Sequence, residues 1–159
     1  MRTYWNSRVR IKPKKRKLTL KGVARLLKRQ ERENSRSYLI KRLDSLFSEY
    51  LKRKSKGVCI KCGKVKLRAG VSHYYSRRFL STRWLESNCV WSCWTCHTFV
   101  KDCLEHTKAP GDFYYELMED KLGKEGFEKL NILAHSDFKI STSDLPMLIM
   151  DFENRLKNM

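Results

Sequence analysis

The sequence predicts an α+β fold: a zinc-stapled ββα core flanked by helices, with a basic N-terminal arm. Three observations predict it. Two C-x-x-C pairs, Cys59–Cys62 and Cys93–Cys96, stand some thirty residues apart, the spacing of one tetrahedral four-cysteine zinc site. Within that frame, Val65, Leu67, Val71 and Tyr74-Tyr75 suit a strand over 65–75, and Asn88–Ser92 suit a second, before Cys93 opens a helix carrying Cys96, His97 and Val100. Outside it, apolar residues recur at helical spacing on both sides.

In chain order, residues 1–34 read as the basic arm. Lys14, Lys15, Arg16 and Lys17 close a nearly continuous basic run that Pro13 keeps from being helical. The run either contacts phosphate, releasing counterions, or serves as a solvated tail. From Leu18 onward a helix is expected, with Leu20, Val23, Leu26 and Leu27 on one side. Residues 35–103 hold a basic helix plus the zinc-containing module. The helix runs over 36–55 with the stripe Leu39, Leu43, Leu46, Phe47, Tyr50 and Leu51; Ser35 or Ser37 caps its start and Gly57 ends it. In the module, Gly63 supplies the positive φ of a zinc knuckle, and Ser76-Arg77-Arg78 and Ser81-Thr82-Arg83 form a basic loop between the strands. Residues 104–159 read as a helical C-terminal region: Phe113–Leu122 and Glu125–Ala134 separated by Gly123, then a last helix opened by Ser143-Asp144-Leu145-Pro146.

Charge narrows the function. The 159 residues carry a net charge of +18 with a pI near 9.9. It is unevenly placed: 16 Lys/Arg face 2 acids in residues 1–42, 12 face 4 in 43–103, and 7 face 11 in 104–159. A polyanionic partner, nucleic acid, is expected on the first two thirds, and packing or a protein partner on the acidic last third. No secretory leader pattern opens the chain, and no apolar run approaches the roughly eighteen residues of a membrane span. Paired C-x-x-C spacing without a leader favours metal binding in a reducing, intracellular setting over disulfides. Cys89 and Cys103 fall outside the pairs and read as buried or incidental thiols.

The series His73, Asn88, His97 inside this frame carries candidate chemistry. Phosphodiester hydrolysis needs an activated water, charge stabilisation on phosphate, and help for the leaving 3′-oxygen. His73 at a strand end suits the general base, His97 on the following helix a metal ligand, and Asn88 either holds the His73 ring or braces the loop. Arg77, Arg78 and Arg83 suit phosphate clamps or surface solubility. Trp84, Trp91 and Trp94 suit packing around the knuckles, with a wedge into DNA as the sharper alternative.

The pattern Cys-x-x-Cys…His…Asn…Cys-x-x-Cys-His resembles the zinc-containing branch of the HNH (ββα-metal, His-Me finger) endonucleases, and is closer still to the NinG/Rap family of lambdoid-phage recombination nucleases. The likeness rests on Ala69-Gly-Val-Ser-His73-Tyr-Tyr-Ser76-Arg77-Arg78, on Thr82-Arg83-Trp84 with Asn88, and on Ser92-Cys93-Trp-Thr-Cys96, and covers about residues 36–133. It implies an HNH-like core and endonucleolytic cleavage of branched DNA, Holliday junctions or D-loops, in the cytoplasm of a phage-infected host. It also implies His73 as base, Asn88 as the middle residue, His97 as ligand of a catalytic Mg²⁺ or Mn²⁺, and Cys59, Cys62, Cys93 and Cys96 as structural Zn²⁺ ligands. Many HNH enzymes carry a metal-binding Asp before the catalytic His, where this chain has Ser72. That departure leaves open a second reading, a catalytically inactive zinc module binding DNA or RNA as an architectural or assembly factor. Symmetric junction cleavage would call for a homodimer, with the acidic C-terminal helices as its interface.

Overall fold

A computed structural model of the chain describes residues 19–98 and 113–159. The basic run Lys14–Lys17, Val100, Asp102, Cys103 and His106 lie outside the described residues. The chain divides into two units, Met1–Asn34 and Ser35–Met159. In the first, α1 spans Leu20–Glu33, and the Thr19 hydroxyl accepts from the Gly22 N–H to cap its start. A single helix has nothing of its own to bury against, and Leu20, Leu26 and Leu27 are exposed.

The second unit is α+β. Helix α2, Arg36–Lys54, starts where the Ser35 side chain accepts from the Tyr38 N–H and ends in a turn that places Gly57 at a φ of 70°. Its expected stripe is its buried side: Leu39, Leu43, Phe47 and Leu51 join one core with Trp84, Cys89, Trp91 and Leu145, Ile149 and Phe152 of α5 (Leu145–Lys157). The main cover for α2 is therefore α5 together with the sheet.

That sheet has two antiparallel strands, β1 Ala69–His73 and β2 Cys89–Cys93, in the register Ala69 opposite Cys93 through His73 opposite Cys89. Strand β2 is buried along its whole length. Alternation sends Cys89 and Trp91 into the α2–α5 core and Val90 into a second one, with Tyr74, Tyr75, Tyr114, Met118, Leu130 and Ala134. The second core is roofed by α4, Phe113–Ala134, interrupted at Gly123, whose φ of 68° and ψ of 167° are not helical. The strand expected over 65–75 is shorter than its composition indicates. Val65 makes one isolated bridge to Val58 and Leu67 is fully exposed, because β2 faces the chain only from Ala69 onward. After β2 the chain turns directly into the short helix α3, Trp94–Thr98. Asp144 stands at the head of α5 but does not cap it; its carboxylate accepts from the Ser141 N–H, closing the preceding turn. No helix among the described residues is long and apolar enough to cross a membrane.

Candidate active site beside a candidate four-cysteine metal centre

The knuckle Cys59–Lys64 closes on itself: Gly63 donates to the Cys59 carbonyl at 2.9 Å and Cys59 donates to the Lys64 carbonyl at 3.1 Å. Gly63 takes a φ of 65°, a conformation that strains any residue with a Cβ. The knuckle is docked on the sheet by the Ile60 N–H, which donates to the Trp91 carbonyl at 3.0 Å. These bonds bring Cys59 and Cys62 to Cys93, the last residue of β2, and Cys96 on α3. The four sulfurs lie within 4.8 Å of one another, and Cys62 and Cys93 are 3.9 Å apart. Zinc–sulfur bonds of about 2.3 Å in a tetrahedron need sulfurs roughly 3.8 Å apart. Backbone donors already favour thiolate here. Burial alone would raise the Cys59 thiol, but N–H groups of Cys62, Cys93 and Lys61 outweigh it and hold the pKa at about 6. Hydrogen bonding with Cys93 pushes Cys96 up to about 12, so that thiol keeps its proton unless a cation displaces it. The four cysteines can hold a metal ion such as zinc. Cys89 is not among them: burial pushes its thiol well up, leaving an inert core residue.

Next to this centre, α2, β1 and α3 enclose a cleft of about 400 Å³. Asp44, Phe47 and Ser48 of α2 line one side, Ala69 to Val71 and His73 of β1 another, and Trp94 and His97 of α3 the end; Arg68 and Arg77 also border it. His73 and His97, twenty-four positions apart in sequence, thus share one cavity. The His73 ring is 8% exposed and its Nε2 lies 2.9 Å from the Arg83 carbonyl oxygen. A carbonyl only accepts, so the neutral ring carries its proton on Nε2 and keeps its lone pair on Nδ1. Burial, reinforced by the charges of Arg77 and Arg83, lowers the His73 pKa to about 4 against the opposing pull of that carbonyl and of Asp44. Burial and Arg77 lower His97 as well. Both rings are held towards the neutral form, the form a base or a metal ligand requires.

Asn88 takes the second of its two expected roles. It is fully buried; its Oδ1 accepts from the Tyr75 N–H at 2.7 Å, and its Nδ2 donates to the Tyr75 and Thr82 carbonyls at 3.0 Å each. It pins both ends of the Arg77–Arg78 loop; the partner of His73 Nε2 is the Arg83 carbonyl. Asn88→Ala removes three buried hydrogen bonds to the Tyr75 and Thr82 backbone, so we expect a loss of about 2 kcal/mol or more in denaturant unfolding. Asn88→Asp should be at least as damaging, since it sets an oxygen against two carbonyls.

Arg83 is not the open phosphate clamp its loop position indicates. Its Nε and Nη2 donate to the two carboxylate oxygens of Asp44 at 2.9 and 2.7 Å, and its Nη1 donates to the Arg77 carbonyl at 2.9 Å. The Trp84 indole N–H also donates to Asp44, at 2.9 Å. Arg77 is the loop arginine that remains beside both histidines, whereas exposed Arg78 lies over the Phe79 ring and does not line the cleft. Sequence reasoning missed Asp44 and Arg68, which reach the cleft from outside the His–Asn–His series. An acid on the basic helix α2, three positions before Phe47 of the apolar stripe, was the available signal for Asp44, and Glu49 on the same helix shares it in part. Ser72, in the position where a metal-binding Asp stands in HNH enzymes, is buried and hydrogen-bonded to the Ser92 hydroxyl.

Compared with models of protein families, with curated proteins and with solved structures, the chain finds no match.

Proposed function

We propose that this chain is a DNA endonuclease of the HNH type, with β1, β2 and α3 as its ββα core and a structural zinc at Cys59, Cys62, Cys93 and Cys96. The observation that carries the reading is the His73 ring: neutral, fixed through Nε2, and lining the same cleft as His97 and Arg77. In the proposed reaction, water attacks the scissile phosphate as His73 Nδ1 takes its proton, and Arg77 offsets the charge gathering on the phosphate oxygens. The P–O bond to the 3′-oxygen breaks and that oxygen takes a proton from solvent, leaving a 5′-phosphate and a 3′-hydroxyl. HNH-type hydrolysis draws on Mg²⁺ or Mn²⁺ to steady the departing oxygen. The described cleft residues do not make a shell for such a hard ion, since Asp44 is the cleft's carboxylate and both its oxygens are taken. We therefore assign no step to it. The resemblance to NinG/Rap nucleases adds the substrate: Holliday junctions or D-loops in phage recombination or repair, where symmetric cleavage would call for a homodimer.

The second reading, a silent zinc module binding DNA or RNA, is favoured by the same commitment of Asp44 and by Ser72, whose hydroxyl is paired with Ser92. One experiment separates the two. Zinc-loaded protein is incubated with a four-way junction, a duplex and single-stranded DNA, with Mg²⁺, Mn²⁺ or neither, beside His73→Ala. The enzyme reading expects nicks that are reduced about a hundredfold or more in the variant. Binding without nicks under any ion supports the silent module.

The pH dependence is a sharper expectation. Free His73 is neutral above about pH 4, so kcat/KM should hold its value well below pH 6 and fall only as pH drops through about 4. A bound phosphate cancels part of the Arg77 field that depresses this pKa, so the acid limb of kcat should lie at higher pH than that of kcat/KM. Initial rates at low and saturating substrate across the pH range measure both limbs. The same shift bears on stability. The folded pKa lies below the unfolded value, so unfolded chain binds the proton first, and stability falls as pH drops from about 6.5 towards 4.

A further inference from the structure

We infer that Trp94 is a stacking platform for an unpaired nucleobase, and that the cleft therefore takes a strand whose base is out of the duplex. This rests on the nucleic-acid reading above and names the substrate feature that the site recognises. The tryptophans of the second unit divide sharply. Trp84 and Trp91 are 7% and 8% exposed and belong to the α2–α5 core, whereas Trp94 is 57% exposed. Packing around the knuckles accounts for the first two and not for the third. An indole left in water leaves a large apolar face uncovered. Trp94 sits between two members of the four-cysteine cluster, Cys93 and Cys96, and its backbone N–H donates to the Arg68 carbonyl at 2.8 Å. Its ring lies nearly parallel to that of His97, with an interplanar angle of 19° and centroids 6.4 Å apart.

The surroundings match one nucleotide of a strand. The cleft has apolar walls, Phe47, Ala69 and Val71, and two guanidinium groups, Arg68 and Arg77, at its border. A flat apolar base next to a phosphate presents the complementary pattern, and about 400 Å³ is within the range of small-ligand sites. Stacking on an aromatic ring tolerates any base, because every base has a π-face, but it requires that face to be uncovered. Bases inside a continuous duplex do not offer it; bases at a branch point, a loop or a single strand do.

The test is binding, in the absence of Mg²⁺ and Mn²⁺, by zinc-loaded full-length protein with matching metal content and circular dichroism in every variant. Fluorescence anisotropy compares a labelled single-stranded oligonucleotide, the same oligonucleotide with abasic sites, and a blunt duplex, against wild type, Trp94→Ala and Trp94→Phe. Trp94→Ala should bind the single strand about tenfold more weakly, Trp94→Phe should stay near wild type, and the abasic strand should not distinguish wild type from Trp94→Ala. Unchanged single-strand affinity in Trp94→Ala overturns the inference, as does an equal loss on all three probes. Wild type that binds none of the probes overturns the nucleic-acid reading itself, and so is told apart from failure of the stacking role alone.

Discussion

Replacing Cys93 with serine, or stripping the metal with a chelator, is expected to unfold the 58–98 module. Cys93 is both a member of the four-sulfur cluster and the last residue of β2, where it pairs with Ala69. The sheet it belongs to has only two strands of five residues each, too little to stand without a staple. Structural zinc contributes about 10–16 kcal/mol of binding free energy in zinc-finger peptides, comparable to the whole stability of a small domain. Loss of the metal also frees α3, and with it Trp94 and His97, from the cleft. Wild type should carry one zinc per chain and unfold in one transition with the metal bound. Cys93→Ser should lose the zinc and the near-ultraviolet signal of the buried Trp84 and Trp91. Cys89→Ala, which touches the core but not the cluster, should keep its zinc. Metal analysis beside thermal unfolding checks all three proteins; a zinc-free Cys93→Ser that keeps native tertiary signals would contradict the staple.

Asp44→Asn should cost about 3 kcal/mol and loosen the His73 ring. Asp44 receives both Arg83 donors and the Trp84 indole N–H, and the Arg83 and Asp44 side chains are 17% and 29% exposed, so the pair is largely sheltered from water. Removing one partner of a sheltered pair leaves a charge without compensation, at about 3–5 kcal/mol for full burial and towards the lower end here. The amide presents an N–H₂ to guanidinium donors and cannot replace the second acceptor. The consequence reaches the cleft because the Arg83 carbonyl is what fixes His73 Nε2. Nitrogen-15 spectra of the wild-type ring should show the proton on Nε2; in Asp44→Asn a mixture of tautomers is expected, together with a lower unfolding midpoint in denaturant. Unchanged spectra and stability would show that Arg83 is placed without Asp44.

The parts legible in the sequence are those fixed by short-range chemistry. The cysteine spacing, the Gly63 turn, the α2 stripe with its Ser35 cap and the break at Gly123 each depend on residues within a turn or two of one another. Val65 and Leu67 read as strand because of their side chains, but strand formation needs a partner, and none reaches them. Arg83 read as a phosphate clamp or a solubilising residue because a basic loop residue, taken locally, faces solvent; its partner is thirty-nine residues earlier, on α2. Asp44, Arg68 and the neutral state of His73 were illegible for the same reason: each follows from how α2 and the loop close over β1. The split among the tryptophans follows likewise, since position in the core decides which of three similar residues is left outside.

The central claim is that His73 activates water for attack on a phosphodiester. It is tested most directly by cutting a four-way junction in heavy-oxygen water with zinc-loaded protein and added Mg²⁺ or Mn²⁺, then analysing the new ends by mass spectrometry. The account predicts 5′-phosphates carrying one oxygen from the solvent, paired with 3′-hydroxyls, and their disappearance in His73→Ala. Ends of the opposite polarity, phosphates without solvent oxygen, undiminished cutting by His73→Ala, or no cutting at all would contradict it.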